Sequence, residues 1–232
     1  MSKLLIGILI TACVLIASCS SRTSSTSAGS DSLRYLAKSD IDTVSDLHVQ
    51  NSLELVRQLA EKLYRRNPSH CKTGGRTIKQ CVDRIFSEHH NDNYPELNGK
   101  RSINALRLTF DNGYRGDRVL AFIVGMHSMM LASYNNKTAF YLMDELDPQK
   151  LYNSARNIEI AVWRLSNKRD HEGKLYLLSN SRPGEVPNLS YERVFGKLIA
   201  NQDMMSRIIA EKFNRRVKNI IQSIATAVFL PI

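Results

Sequence analysis

Residues 119–134, VLAFIVGMHSMMLASY, decide how this chain folds, because the stretch is apolar on every side of a helix. A helix of that kind is buried all round. The stretch is shorter than the ~20 residues that a bilayer-spanning helix needs, and it contains Gly125, His127 and two serines. We therefore predict that it forms the central core helix of a globular domain.

The first two predicted helices of the chain form a hairpin. Between residues 46 and 67 apolar side chains recur at helical spacing, and Pro68 ends that helix. Gly74 and Gly75 mark a turn, after which a second apolar stripe of helical period runs to Phe86. The segment HHNDNYPELNGK that follows is predicted to be a loop, because Asn, Pro and Gly disfavour regular structure.

Helix start signals flank the core stretch on both sides. Ser102 or a neighbour begins a helix that runs to about Phe110. Asp117 is well placed to cap the core helix. Asp147 followed by Pro148 is an N-cap with proline at the first helical position, and the helix it starts should reach Asn167.

The C-terminal part of the chain gives two less regular patterns. Residues 174–181 look β-like but have no obvious partner strand, so they are either an extended segment or one arm of a small hairpin. Residues 191–228 are predicted to be one long amphipathic helix, or two in series with a break near 201–203. Helical patterns dominate throughout, which predicts an all-α globular bundle packed around 119–134.

The N-terminus resembles that of bacterial lipoproteins. Lys3 precedes an apolar run that is too short to span a membrane and has the proportions of a secretory signal peptide. The run ends in LIASC, residues 15–19, which is similar to the lipobox of that family. The resemblance covers only these N-terminal residues. It implies that Cys19 receives a diacylglyceryl group, that the signal is cut before it, and that the new amino terminus is acylated. A plain secreted protein with a chance cysteine is the alternative.

The same resemblance implies a location. In Gram-negative lipoproteins, aspartate after the lipidated cysteine favours the inner membrane, whereas serine, as in Ser20, implies transport to the outer membrane. The Ser-rich residues that follow bury nothing and should form a flexible tether with a reach on the order of 20 Å. The predicted organisation is a signal peptide (1–18), a lipidated tether (19–32) and one helical periplasmic domain (33–232).

Four cysteines occur in the chain, and the lipoprotein resemblance accounts for two of them. Cys13 would leave with the signal and Cys19 would carry lipid. The remaining pair, Cys71 and Cys81, most simply forms one disulfide in an oxidising periplasm and staples the predicted hairpin. The alternative is a metal site completed by histidines, for which His70, His89 and His90 are the candidates.

No residue set has the pattern of a catalytic centre. There is no nucleophile elbow, phosphate-cradling glycine loop or paired-histidine zinc helix. His127 and Ser128 are adjacent and so point about 100° apart on a helix, which favours a hydrogen-bonded core histidine. The remaining candidates are the polar cluster His89, His90 and Asp92, and the carboxylates Glu88, Glu96, Asp144, Glu145 and Asp147. We predict no catalytic residue, metal or cofactor.

The net charge of the chain says more about its partners than any sequence motif does. The formal net charge is +10, which favours anionic partners. In the periplasm these would be lipid phosphates, lipopolysaccharide, acidic cell-wall peptides or an acidic protein, with nucleic acid a weaker option. The alternative is a basic surface that is simply solvated. The basic residues gather at Arg65, Arg66, Lys72, Arg76, Lys79, Lys212, Arg215, Arg216 and Lys218.

The loop CKTGGRTIKQC is the most specific candidate binding surface. Its glycines permit a tight turn, and Thr73 or Thr77 can cap the helix that follows. A helix start presents free N–H groups to an anion. The predicted anion-binding residues are Lys72, Gly74, Gly75, Arg76 and Lys79, and the alternative is an ordinary basic loop.

Two functions fit these observations. The first is an outer-membrane-anchored lipoprotein that acts as a non-enzymatic binding or assembly module for an envelope complex. The second is a helical hydrolase of cell-wall polymer, which would need a glutamic acid in a cleft. The absence of a catalytic pattern favours the first.

Overall fold

Helices form most of the structure, a computed structural model that describes residues 38–72, 75–87, 94–141, 143–180, 184–186, 188–219 and 222–232. The α-helices are α1 (Asp40–Arg66), α2 (Ser69–Lys72), α3 (Ile78–Phe86), α4 (Ser102–Thr109), α5 (Arg118–Ser133), α6 (Pro148–Asn167) and α7 (Ser190–Lys212). A 3-10 turn lies at Pro95–Leu97. The described residues contain no strand, so the predicted all-α class is confirmed.

The apolar stretch that dominates the sequence lies in α5. Every residue from Val119 to Met130 is buried except His127, which is half-buried. Asp117 caps the helix by accepting a hydrogen bond from the Leu120 N–H (2.9 Å), as the sequence predicts. α5 packs against α1, α3, α4 and α6.

The long helix α1 begins earlier than its apolar periodicity indicates. Ser39 and Asp42 form a capping box, in which the Ser39 Oγ accepts from the Asp42 N–H (3.3 Å) and the Asp42 carboxylate from the Ser39 N–H (2.8 Å). α1 then packs on α3, α5 and α7 and ends just before Pro68. Ser39–Ile232 forms one compact unit.

The predicted disulfide is present. Cys71 and Cys81 are joined, with their Cα atoms 6.1 Å apart. Cys71 lies on the short helix α2, which the sequence did not predict, and Cys81 lies on the buried face of α3. The bond therefore closes the turn between α1 and α3, and the helices pack together.

Two buried asparagines hold extended segments of the chain. Asn67 pairs with both backbone groups of Leu178 (2.8 Å each), and Asn157 pairs with both backbone groups of Leu230 (2.9 and 2.6 Å). Because side chains satisfy these backbone groups, no partner strand is needed. The β-like stretch near 174–181 accordingly makes one isolated bridge, Arg169 to Leu175, within the described residues.

The prediction for residues 191–228 is wrong in its second half. α7 runs without a break through 201–203. The side chain of buried Gln202 accepts a hydrogen bond from the Ser154 hydroxyl (2.8 Å), so its polar group is satisfied within an unbroken helix. The helix ends at Lys212, where Asn214 adopts a left-handed conformation and the Arg215 N–H donates to the Ala210 carbonyl. The described residues beyond Lys212 are not helical. Arg215, Arg216 and Lys218, which were predicted to lie on the last helix, therefore lie in the non-helical segment after it.

None of the described helices has the length and apolar character needed to cross a bilayer. The predicted signal peptide, Cys19 and the tether all lie outside the described residues, as do the first residues of the predicted periplasmic domain.

Candidate functional site

A cleft of about 450 Å³ opens where α2 and α3 meet the turn before α5. Most of the residues that line it are polar or charged, and three of them are arginines. The lining residues are Ser69, His70, Arg76, Arg84, Glu96, Arg115, Gly116 and Asp117.

Three short-range features place these residues together. The Cys71–Cys81 bond fixes α2 against α3, and Gly75 makes the turn between them with a positive φ of 67°. Thr77 then starts α3 through a capping box with Gln80. Arg76, directly before that cap, is thereby held at the cleft rim.

Arg84 and Glu96 form the one charge-paired unit among the residues that line this cleft. Their two side chains make a bidentate contact, with nitrogen–oxygen distances of 2.6 and 2.9 Å. The hydrogen bond to Arg84 lowers the pKa of Glu96 and raises that of Arg84, so both stay charged. Arg84 also lies over the ring of Tyr94, 5.5 Å from its centroid.

Asp117 is engaged by hydrogen bonds on both of its oxygens. Oδ1 accepts from the Leu120 N–H, and Oδ2 accepts from the Tyr64 hydroxyl at 2.9 Å. Burial raises the pKa of Asp117 to about 6, against the opposing effect of these hydrogen bonds. Burial and the neighbouring Asp117 carboxylate also raise the pKa of Tyr64.

His70 lies in the wall of the cleft as a neutral side chain. Burial, and then the nearby charge of Arg118, lower its pKa. Its Nδ1 accepts a hydrogen bond from the Arg118 backbone N–H (3.4 Å), which assigns the ring proton to Nε2. The 3.9 Å separation from Asp117 is therefore not an ion pair at neutral pH.

Arg76 and Arg115 differ from Arg84. Both are exposed, and neither side chain makes a hydrogen bond or ion pair with any part of the chain that the structure describes. The cleft thus holds three guanidinium groups against the carboxylates of Glu96 and Asp117, which gives it a surplus of positive charge.

The predicted anion-binding loop is only partly assembled at this cleft. Arg76 lines it, whereas the Lys79 ammonium lies 2.5 Å from the Asp83 carboxylate, which also binds Arg57. Lys72 and Gly75 are exposed and do not line the cleft, and Gly74 falls outside the described residues. The capping box also occupies N–H groups at the start of α3.

The other candidate catalytic and metal-binding residues of the sequence analysis make separate contacts elsewhere in the structure or fall outside the described residues. The His127 ring makes an edge contact with Phe86, with centroids 5.2 Å apart. Asp144 binds Lys137, Glu145 binds Arg215, and Asp147 caps α6. Glu88, His89, His90 and Asp92 fall outside the described residues. In the part of the chain that is described, no three His, Cys, Asp or Glu side chains are grouped to hold a metal ion.

Sequence reasoning missed the contributions of Arg84, Arg115 and Tyr64 to this cleft. Arg115 gave the only available signal, since it lies two residues before the predicted cap Asp117. Comparison with known proteins adds no further assignment: no protein-family model, no curated protein and no solved structure matches the chain at a significant level.

Proposed function

We propose that the chain is an outer-membrane-anchored lipoprotein whose helical domain is a non-enzymatic binding or assembly module in the periplasm, and that the arginine-lined cleft is where it meets an anionic component of the envelope. The observation that carries the proposal is the pair of guanidiniums, Arg76 and Arg115, that face one cleft without a partner among the described residues. Surplus positive charge in a cleft attracts anionic ligands.

The anchor is supported by the LIASC stretch, in which Cys19 is the acylation site. Replacing Cys19 with alanine should block signal processing and abolish labelling of the protein by a fatty-acid probe. Replacing Ser20 with aspartate should move part of the protein to the inner membrane in sucrose-gradient fractionation. Unchanged labelling of the Cys19→Ala variant would exclude the anchor.

The binding role is tested by crosslinking in the intact envelope followed by purification of the protein. An Arg76→Gln/Arg115→Gln double variant should lose its crosslinked partner. An Arg193→Gln/Lys197→Gln variant removes the same charge from exposed positions on α7 and should keep it. Equal recovery of the partner by the wild type and both double variants would exclude the cleft as the binding surface.

A second candidate, hydrolysis of cell-wall polymer, has one observation in its favour. Asp117 is a carboxyl group in a cleft with a pKa raised to about 6, which is a property of general acids. Against it, both oxygens of Asp117 are occupied by the Leu120 N–H and the Tyr64 hydroxyl. Release of soluble fragments from purified murein by the wild type, and its loss in Asp117→Asn, would establish the enzyme and exclude the module.

A further inference from the structure

We infer that the cleft binds a phosphate group, with Arg76 and Arg115 as its two arginine ligands. This inference rests on the proposed function and names the chemistry of the anion. It concerns the cleft itself rather than the sequence-predicted loop, of which only Arg76 lines the cleft.

The number of free donor groups points to phosphate. Glu96 already binds Arg84 through the bidentate contact, so Arg76 and Arg115 are the guanidiniums left to bind an incoming anion. A phosphate monoester offers three acceptor oxygens and can receive hydrogen bonds from two guanidiniums at once, whereas a carboxylate offers two oxygens. The planar fork of arginine matches phosphate oxygens in bidentate geometry.

The surroundings of the two arginines also suit a phosphate group. The cleft volume of about 450 Å³ falls in the range of small-ligand sites. The Asp117 carboxylate opposes an anion, but its charge is partly offset by the two hydrogen bonds that it accepts.

The Arg84–Glu96 pair should position the site without binding the phosphate. It ties α3 to the 3-10 turn at Pro95–Leu97, and so holds these two parts of the cleft lining together. Charges that are already paired gain little from a second anion, whereas the free guanidiniums gain charge-assisted hydrogen bonds.

The phosphate has two possible sources, a soluble phosphate compound or a lipid headgroup. The full-length chain in nonionic detergent can be titrated by calorimetry with inorganic phosphate and, separately, with dihexanoyl phosphatidic acid, both at low ionic strength. Equal affinities for the two probes would assign a soluble source. Tighter binding of the phosphatidic acid would assign a lipid headgroup.

Arginine variants test the assignment of the ligands. Because Arg76 and Arg115 are exposed, the Arg76→Gln/Arg115→Gln variant should fold normally, which its thermal unfolding curve will verify. It should bind the preferred probe at least about tenfold more weakly, the loss expected when charge-assisted hydrogen bonds are removed. The Arg193→Gln/Lys197→Gln variant should bind within about twofold of the wild type, since its charges lie on a different helix.

The result that overturns the inference is a wild type that binds neither probe, or a double variant that binds as tightly as the wild type. This failure is separable from that of the proposed function. If the double variant still loses its crosslinked partner in the envelope, the cleft is a binding surface for another anion and only the phosphate assignment falls. If the double variant also keeps its crosslinked partner, both the phosphate assignment and the proposed binding role of the cleft are excluded.

Discussion

A Cβ atom on Gly125 would lie 2.8 Å from the backbone nitrogen of Leu106 and equally close to the Leu106 Cγ. This glycine therefore lets α4 and α5 cross with their backbones nearly in contact. Leu106 is fully buried at the crossing and belongs to the main hydrophobic core. The position explains why a helix otherwise made of large apolar residues carries a glycine in its middle.

Replacing Gly125 with alanine should lower the free energy of unfolding by about 1–3 kcal/mol, because the helices must move apart to admit the methyl group. Urea denaturation followed by circular dichroism measures this. Gly196 is the matched control: it lies within α7 with nothing near its Cβ position. Gly196→Ala should raise the stability by up to about 1 kcal/mol through helix propensity. A Gly125→Ala protein as stable as the wild type would contradict the tight crossing.

The Cys71–Cys81 bond should be detectable and stabilising. A non-reducing peptide map should recover the two cysteine peptides as one linked species. Replacing both cysteines with serine should lower the free energy of unfolding by about 2–3 kcal/mol, the value expected from chain entropy for a loop of this length. Free thiols in the mature protein, or a bridge between two molecules, would contradict the prediction.

Asn157 should hold the C-terminal segment in place. Its replacement by alanine leaves the Leu230 N–H and carbonyl unpaired in a buried position, which should cost about 2–4 kcal/mol. Hydrogen exchange should accelerate at residues 227–232 in this variant. Asn167 at the exposed end of α6 is the control, since its amide donates to the Trp163 carbonyl of the same helix and its loss should cost less than about 0.5 kcal/mol. Unchanged exchange at 227–232 in Asn157→Ala would show that other contacts hold the segment.

The helices of this fold were predictable because they depend on local signals. Apolar spacing located α5 and α6, and the side chains of Asp117 and Asp147 marked their first turns. The extended segments were not predictable in the same way. Each is held by one asparagine more than seventy residues away along the chain, and nothing in the local sequence marks Asn67 or Asn157 for that role.

The end of α7 shows a second reason why the sequence pattern did not predict the whole fold. The apolar spacing of residues 213–228 continues the helical pattern, yet the chain turns at Asn214, which adopts φ 48°. Ala227, Phe229 and Leu230 are then buried against the core, so tertiary packing overrides the periodic pattern. The candidate cleft was unpredictable for a related reason. Arg76, Arg84 and Arg115 come from three separate segments that only the folded chain brings together.

Asp117 provides a test of the electrostatics of the cleft. Its pKa is raised to about 6, mainly by burial, from an ordinary value of 3.8. Between these two values the unfolded chain releases the proton while the folded chain keeps it. Stability from this group is therefore complete below about pH 4 and is lost as the pH rises to about 6. The titratable or charged groups around it are Tyr64, His70, Tyr114 and Arg118, together with Arg76, Arg84, Glu96 and Arg115 in the same cleft.

Replacing Asp117 with asparagine should remove this contribution while keeping a side chain that can cap α5. The free energy of unfolding of the variant, relative to the wild type, should increase by about 2–3 kcal/mol as the pH is raised from 4 to 7. The surrounding groups are present in both proteins, so taking the difference isolates Asp117. Urea denaturation of both proteins at half-unit pH steps measures it. Parallel curves for Asp117→Asn and the wild type would mean that the carboxyl group is hydrated in solution, and the buried hydrogen bond to Tyr64 would then be wrong.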